Sequence, residues 1–141
     1  MDDSALFLDD IDEFDDMQSP MNLVTLAVVG ACIEVHRLIG PGFSRDVYAD
    51  ALAHELKLRQ VGFVRRERVA LMYKGKPVGG HELDFIVEGM VVLKIKSVKM
   101  LRPVHTAAMT AYLKAAEKRL GLIINFNVKT LMNGVERVAL K

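Results

Sequence analysis

A chain of 141 residues, 51% hydrophobic and 26% charged, has the size and composition of one folded domain, which excludes disorder throughout. Its lone cysteine, Cys32, cannot form an internal disulfide, and its apolar neighbours mark it as a buried thiol, consistent with a reducing cytoplasm. The net charge of +1 conceals an asymmetry: residues 1–20 carry eight acidic side chains and no Lys or Arg, leaving 19 basic against ten acidic residues, a net +9, in the remainder.

The chain opens Met1-Asp2-Asp3, where a secretory signal would place positive charge, so no export signal is expected. Residues 1–20 are expected to form an acidic, disordered extension ahead of a domain over 21–141. Within it Phe7, Ile11 and Phe14 stand at i, i+4 and i+7 among acids. That is the spacing of a short amphipathic segment, so residues 5–17 are a candidate contact for a protein partner or for the domain's own basic face. The apolar run Leu23–Ile33 is about half of the ~20 residues that a membrane-spanning helix needs, and no membrane contact is expected.

Helical spacing of apolar residues predicts a first helix over Asn22–Leu38, stopped by Gly40-Pro41-Gly42. Ser44 is positioned to cap a second helix reaching about Arg59. Phe63–Tyr73 reads as a strand, Lys74-Gly75-Lys76-Pro77 as a turn, and His81–Val87 and Val91–Val98 as two further strands in an antiparallel set. Pro103 suits the first turn of a third helix running to about Arg119. Leu120–Phe126 reads as a short buried strand, and 137–140 as a possible last one. The order is ααβββαβ, an α/β domain with a small mixed sheet flanked by helices.

The second and third strands each carry one polar face. A two-residue turn at Glu88-Gly89 would set polar residues of one strand beside apolar residues of the other. A three-residue turn, with Gly89 left-handed, pairs Asp84 with Lys94 and Glu82 with Lys96 and gathers the charges on one side.

These residues resemble the GxxExxY proteins, a branch of the PD-(D/E)XK nuclease-like superfamily. The carriers are Gly30-Ala31-Cys32-Ile33-Glu34-Val35-His36, Gly40-Pro41-Gly42 leading to Val47-Tyr48, Leu83-Asp84 with Val87-Glu88-Gly89, Pro103-Val104-His105, Ala111-Tyr112-Leu113-Lys114-Ala115 and the run Leu120–Asn127. In active relatives the strand aspartate and the acidic member of the (D/E)XK motif hold Mg²⁺, and the lysine positions or activates water. The resemblance thus points to Asp84 and Lys96 as motif positions, with Tyr112 beside them. Three positions depart: Lys94 replaces the acidic residue, Arg45 the glutamate of the GxxExxY signature, and Ala108 a common glutamine.

Two departures exchange a carboxylate for a cation, which repels Mg²⁺ and places positive charge near Asp84. No cofactor is therefore expected; if the domain is active, Mg²⁺ is expected, with Asp84, Glu34 and Glu82 as replacement ligands. The reading is a degenerate, catalytically inactive nuclease-like domain that binds nucleic acid or another phosphate-rich partner. Its contacts are Arg45, Lys94, Lys96 and Lys114, joined by Arg65, Arg66, Arg68 and Lys118. The alternatives are a protein-interaction module whose former site is a salt-bridge cluster, and a metal-dependent nuclease with a migrated ligand set. His36 and His105 read as structural.

Overall fold

The structure, a computed structural model, describes residues 19–140; the segment 5–17 and most of the acidic extension lie outside these residues. Helix α1 (Pro20–Ile39) begins where the Ser19 hydroxyl accepts a hydrogen bond from the Asn22 N–H at 3.3 Å. Pro20 sits at the first helical position, where its missing N–H costs nothing. The helix ends at Gly40, whose φ of 76° and N–H bond to the His36 carbonyl close its last turn. The helix holds an 18-residue window of mean hydropathy 1.5, which matches a membrane span by length and composition alone and extends beyond the run Leu23–Ile33. In this fold Val28, Val29, Ala31 and Cys32 are fully buried against the sheet and the second helix, and burial pushes the Cys32 thiol pKa up.

Helix α2 (Arg45–Leu58) follows Ser44, which occupies the N-cap position without the expected side-chain cap bond; Asp46 supplies the acidic charge of the first turn. Tyr48, fully buried, fixes the connection between the two helices. Its hydroxyl donates to the Gly40 carbonyl at 2.6 Å and accepts from the Phe43 N–H at 3.2 Å, and its ring stacks on Phe126 at 4.6 Å. Arg45 therefore emerges from a clamped loop.

Five strands form one sheet in the order β1-β2-β3-β4-β5: β1 (Phe63–Tyr73), β2 (Lys76–Val87), β3 (Val91–Lys96), β4 (Leu120–Asn125) and β5 (Val135–Ala139). Neighbours are antiparallel except β3 and β4, which run parallel with helix α3 (Pro103–Ala116) as their crossover. The turn at Lys74-Gly75 is only two residues, both with positive φ (49° and 81°), so β2 starts at Lys76 and not at His81. In turn β3 stops at Lys96, short of Val98, because the Asn125 side chain takes both the N–H and the carbonyl of Val98.

Helices α1 and α2 cover one face of the sheet, with Phe85, Val87, Leu93, Ile95, Leu122 and Ile124 inside that layer. Helix α3 covers the other through Met109 and Leu113 packed on Ile86, Val92, Ile123 and Val138. Leu83 breaks the expected alternation, because it packs on the α3 side and not with Phe85. The cause lies in the neighbouring strand: Arg66, opposite Asp84 in the register, has φ of 58°, and the paired residues pass from Arg65–Phe85 to Glu67–Leu83 around it. Both strands rotate there, so Arg65 points to α2 while Val69 joins the α3 cluster.

Replacing Tyr48 with Phe keeps the stacked ring and deletes both hydroxyl bonds. Urea unfolding is expected to show a loss of about 1 to 3 kcal/mol, the usual net worth of two buried hydrogen bonds; an unchanged midpoint would mean that the loop before α2 is held by packing alone.

Candidate functional site

The β2–β3 connection has the three-residue length that the polar pattern demands. Val87 pairs with Val91, Ile86 with Val92 and Phe85 with Leu93, and both Glu88 and Gly89 are left-handed at φ 52° and 67°. This register places Asp84 opposite Lys94, yet the backbone ladder ends one pair earlier. Beyond it the Asp84 carboxylate replaces the missing strand partner: Oδ2 accepts the Ile95 N–H at 2.7 Å. The expected pair Glu82–Lys96 is not formed, because the strands have already parted at Asp84.

Asp84 is only 6% exposed, and its second oxygen, Oδ1, accepts a hydrogen bond from the Arg45 guanidinium. Arg45 comes from the first turn of α2 and also donates through Nε to the Ile95 carbonyl at 3.3 Å. One residue of β3 thus gives its N–H to the acid and its carbonyl to the base. The Lys94 ammonium stands 3.8 Å from Asp84 Oδ1, donates to His81 Nε2 at 2.9 Å, and lies 5.8 Å from the centre of the Tyr112 ring. His81 in turn stacks on Tyr112 with the ring centres 4.0 Å apart and the planes 6° from parallel. Burial, and next the neighbouring Lys96 and Arg45 charges opposed by Asp84, lower the Lys94 pKa on balance. Burial first and then the Lys94 ammonium hold the His81 pKa down, while burial and the Asp84 charge raise that of Tyr112.

Beside this cluster a small cleft is lined by Lys94, Lys96, His105, Ala108, Met109, Tyr112 and Ile123. Ala108 leaves the α3 wall without a polar group where a glutamine was expected. His105 has a structural task as well, since its Nδ1 accepts the Arg102 N–H at 3.0 Å and caps α3. His36 donates from Nε2 to the Val128 carbonyl at 2.7 Å, far along the chain from the motif residues.

The structure brings together Arg45, Asp84, Lys94 and Tyr112, with Lys96 on the cleft wall. It does not gather the other cations into the same place. Arg65 is paired with Asp50 at 3.1 Å and lies over the Phe85 ring, Lys118 donates to the Gly89 carbonyl, and Lys114 is exposed on α3 outside the cleft lining. Arg66 and Arg68 are exposed on β1. Glu34 is bound to Arg37, one turn along α1.

A family profile of the PD-(D/E)XK nuclease superfamily matches residues 22–138, nearly the whole of the described chain. The chain belongs to the PD-(D/E)XK nuclease superfamily. No curated protein and no solved structure matches it.

Active PD-(D/E)XK members typically use Mg²⁺, a hard cation that takes several oxygen ligands. The residues of this PD-(D/E)XK domain do not fit one at Asp84. Both carboxylate oxygens are engaged by protein donors, the nearest charged side chains are the cations Arg45 and Lys94, and among the described residues no three His, Cys, Asp or Glu side chains stand together. Asp84, Glu34 and Glu82 accordingly do not form a ligand cluster.

His81 is the site residue that sequence reasoning missed. In an alternating strand His81 and Asp84 point to opposite faces; the rotation at Arg66 and Asp84 brings both to Lys94.

Two outcomes test the cluster. In a double-mutant cycle, Arg45→Ala and Asp84→Ala are expected to couple by about 1 to 2 kcal/mol, below the buried-pair range because Arg45 is 42% exposed; zero coupling would mean a merely geometric contact. His81 titrates lower in the folded chain than the ~6.5 of the unfolded one, so the unfolded state binds more protons between the two values. Stability should therefore fall as pH drops through about 6.5, and His81→Gln should flatten this slope in urea midpoints compared at pH about 7.5 and 5.5.

Proposed function

We propose that this PD-(D/E)XK domain is non-catalytic and binds the phosphate backbone of nucleic acid, with Arg45 and Lys94 supplying the positive charge that a metal supplies in active relatives. The observation that carries the reading is the engagement of both Asp84 oxygens, by the Arg45 guanidinium and by the Ile95 N–H, with the Lys94 ammonium at 3.8 Å. A carboxylate hydrogen-bonded at both oxygens and set against two cations is a poor ligand for a further divalent cation, and a guanidinium cannot acidify water as a metal does.

What remains is an electrostatic surface. Lys94 and Lys96 wall the cleft, Arg45 is partly exposed beside Asp84, and the chain after residue 20 carries a net +9. A phosphate at this cleft would meet ammonium groups, with backbone recognition and no base readout. The resemblance to GxxExxY proteins supports the same view, since Arg45 and Lys94 are the two positions where that pattern has acids.

Fluorescence anisotropy of the full chain with a short labelled DNA duplex, over a series of salt concentrations and with either Mg²⁺ or a chelator, tests this. Binding is expected to be unaffected by the chelator, to weaken linearly in log salt, and to lose about one to two from that slope in Lys94→Gln/Lys96→Gln. Cleavage that requires Mg²⁺ and disappears in Asp84→Ala would overturn the non-catalytic reading. Absence of binding at low salt would overturn the nucleic-acid reading and leave the protein-interaction module.

A further inference from the structure

The β1–β2 hairpin is longer than the core requires. Its last pair tied to the α3 side is Val69–His81; beyond it Ala70 pairs with Gly80, Met72 with Pro77 and Tyr73 with Lys76. From Met72 to Gly79 every residue is exposed. At the strand rise of about 3.3 Å per residue this ribbon projects on the order of 15 Å past His81. An exposed two-stranded ribbon gains no stability from burial, so its composition is free to answer to a partner.

That composition is one-sided. Residues 70–80 contain Lys74 and Lys76 and no acidic residue. Around the lysines stand Met72, Tyr73 and Val78, exposed by 58%, 61% and 56%. Arg66 and Arg68 are exposed on the same β1 strand just below, and among the described residues none of these four cations is held in an ion pair. The root is shaped for a bend: Gly79 has φ of 109°, the pairing shifts between Ala70 and Met72, and a side chain on Gly80 would meet the Val69 carbonyl at 2.9 Å.

Position decides the partner. The ribbon springs from His81, which stacks on Tyr112 and binds Lys94, so it rises directly from the cluster beside the cleft. We propose that the arm 70–80 is a second grip on duplex DNA. In this arrangement the ribbon lies in the major groove, Lys74 and Lys76 reach the flanking phosphates, and Met72 and Tyr73 make apolar contacts within the groove. A two-stranded ribbon fits the B-form major groove, whereas the A-form major groove of duplex RNA is too narrow to admit it. The inference rests on the nucleic-acid reading of the cleft, and it names the duplex and the element that holds it. A lipid surface also accepts exposed apolar residues among lysines, but a flat bilayer offers nothing to the recessed Lys94 and Lys96.

The test uses the full chain against a mixed-sequence DNA duplex, the RNA duplex of the same sequence, and phosphatidylcholine vesicles containing phosphatidylserine. Lys74→Gln/Lys76→Gln, in the exposed arm, is expected to keep the wild-type circular dichroism, to bind DNA about tenfold or more weakly near 0.1 M salt, and to lower the log–log salt slope by about two. Tyr73→Ala should weaken DNA binding with the slope unchanged. If the wild type binds DNA and the arm variants match it in affinity and slope, the arm proposal fails while the cleft reading stands. If the arm variants lose binding and Lys94→Gln/Lys96→Gln does not, the cleft reading fails and with it the arm's place as a second grip, the arm then being the contact that holds the duplex. Equal affinity for duplex RNA, or binding to vesicles and not to DNA, overturns the arm's assignment to the DNA groove.

Discussion

The carboxylate of Asp84 holds the centre of this domain together at the point where its sheet comes apart. On one side Arg66 turns left-handed and interrupts the regular alternation of β1; on the other, β3 parts from β2 after Leu93 while staying paired with β4. A buried strand that loses the neighbour on one side leaves the backbone groups of that edge unsatisfied, at a cost comparable to a lost hydrogen bond for each. Asp84 supplies the acceptor for Ile95 N–H and Arg45 the donor for Ile95 O, so the ion pair doubles as a strand partner. Removing either member therefore affects the sheet edge as well as the charge balance.

That double use explains why the two helices before the sheet matter to the site. Arg45 reaches Asp84 only because α2 starts at the right place, and α2 starts there because Tyr48 ties the Gly40 carbonyl to the Phe43 N–H and stacks on Phe126 of the core. The packing of the helical layer thus sets the position of the guanidinium. Lys94, by contrast, is placed by β3 and flanked by the His81–Tyr112 stack, which withdraws its ammonium from water and favours a neutral acceptor at His81 Nε2. The charges of the cluster, two cations on one carboxylate, leave an excess positive charge beside a cleft whose wall carries another lysine, Lys96, together with His105 and Tyr112.

Placed on the superfamily fold, this arrangement keeps the architecture and changes the electrostatics. The parallel pair β3–β4 with its α3 crossover, and the antiparallel β1–β2–β3 meander, put Lys94 and Lys96 on the wall of one cleft and Asp84 beside Lys94, behind that wall. The Arg45 guanidinium and the Ile95 N–H between them engage both oxygens of the Asp84 carboxylate. A fold supports many chemistries through changes at its site, and here the site chemistry follows from side-chain charge and not from strand order.

Much of the fold was legible along the chain. Proline and glycine punctuation and apolar periodicity placed three helices and the strands, apart from the start of β2, close to their observed ends, and the requirement that charges share a face selected the three-residue β2–β3 loop. These are local or nearest-neighbour constraints, which a sequence states directly. Asp84, Lys94, Lys96 and Arg45 were singled out as residues at fixed offsets in a resemblance, and the structure sets Arg45 and Lys94 against Asp84. The length of the β1–β2 ribbon, the rotation at Arg66 and Asp84, the move of Leu83 to the α3 side and the entry of His81 into the cluster were not legible. Each depends on a left-handed residue in one strand acting on the faces of its neighbour. Residue types and their offsets along the chain put Asp84, Lys94 and Lys96 forward together; that Arg45 and His81 join them while Arg65 and Lys114 stay apart follows from the fold, because contact depends on how the strands turn where their pairing ends.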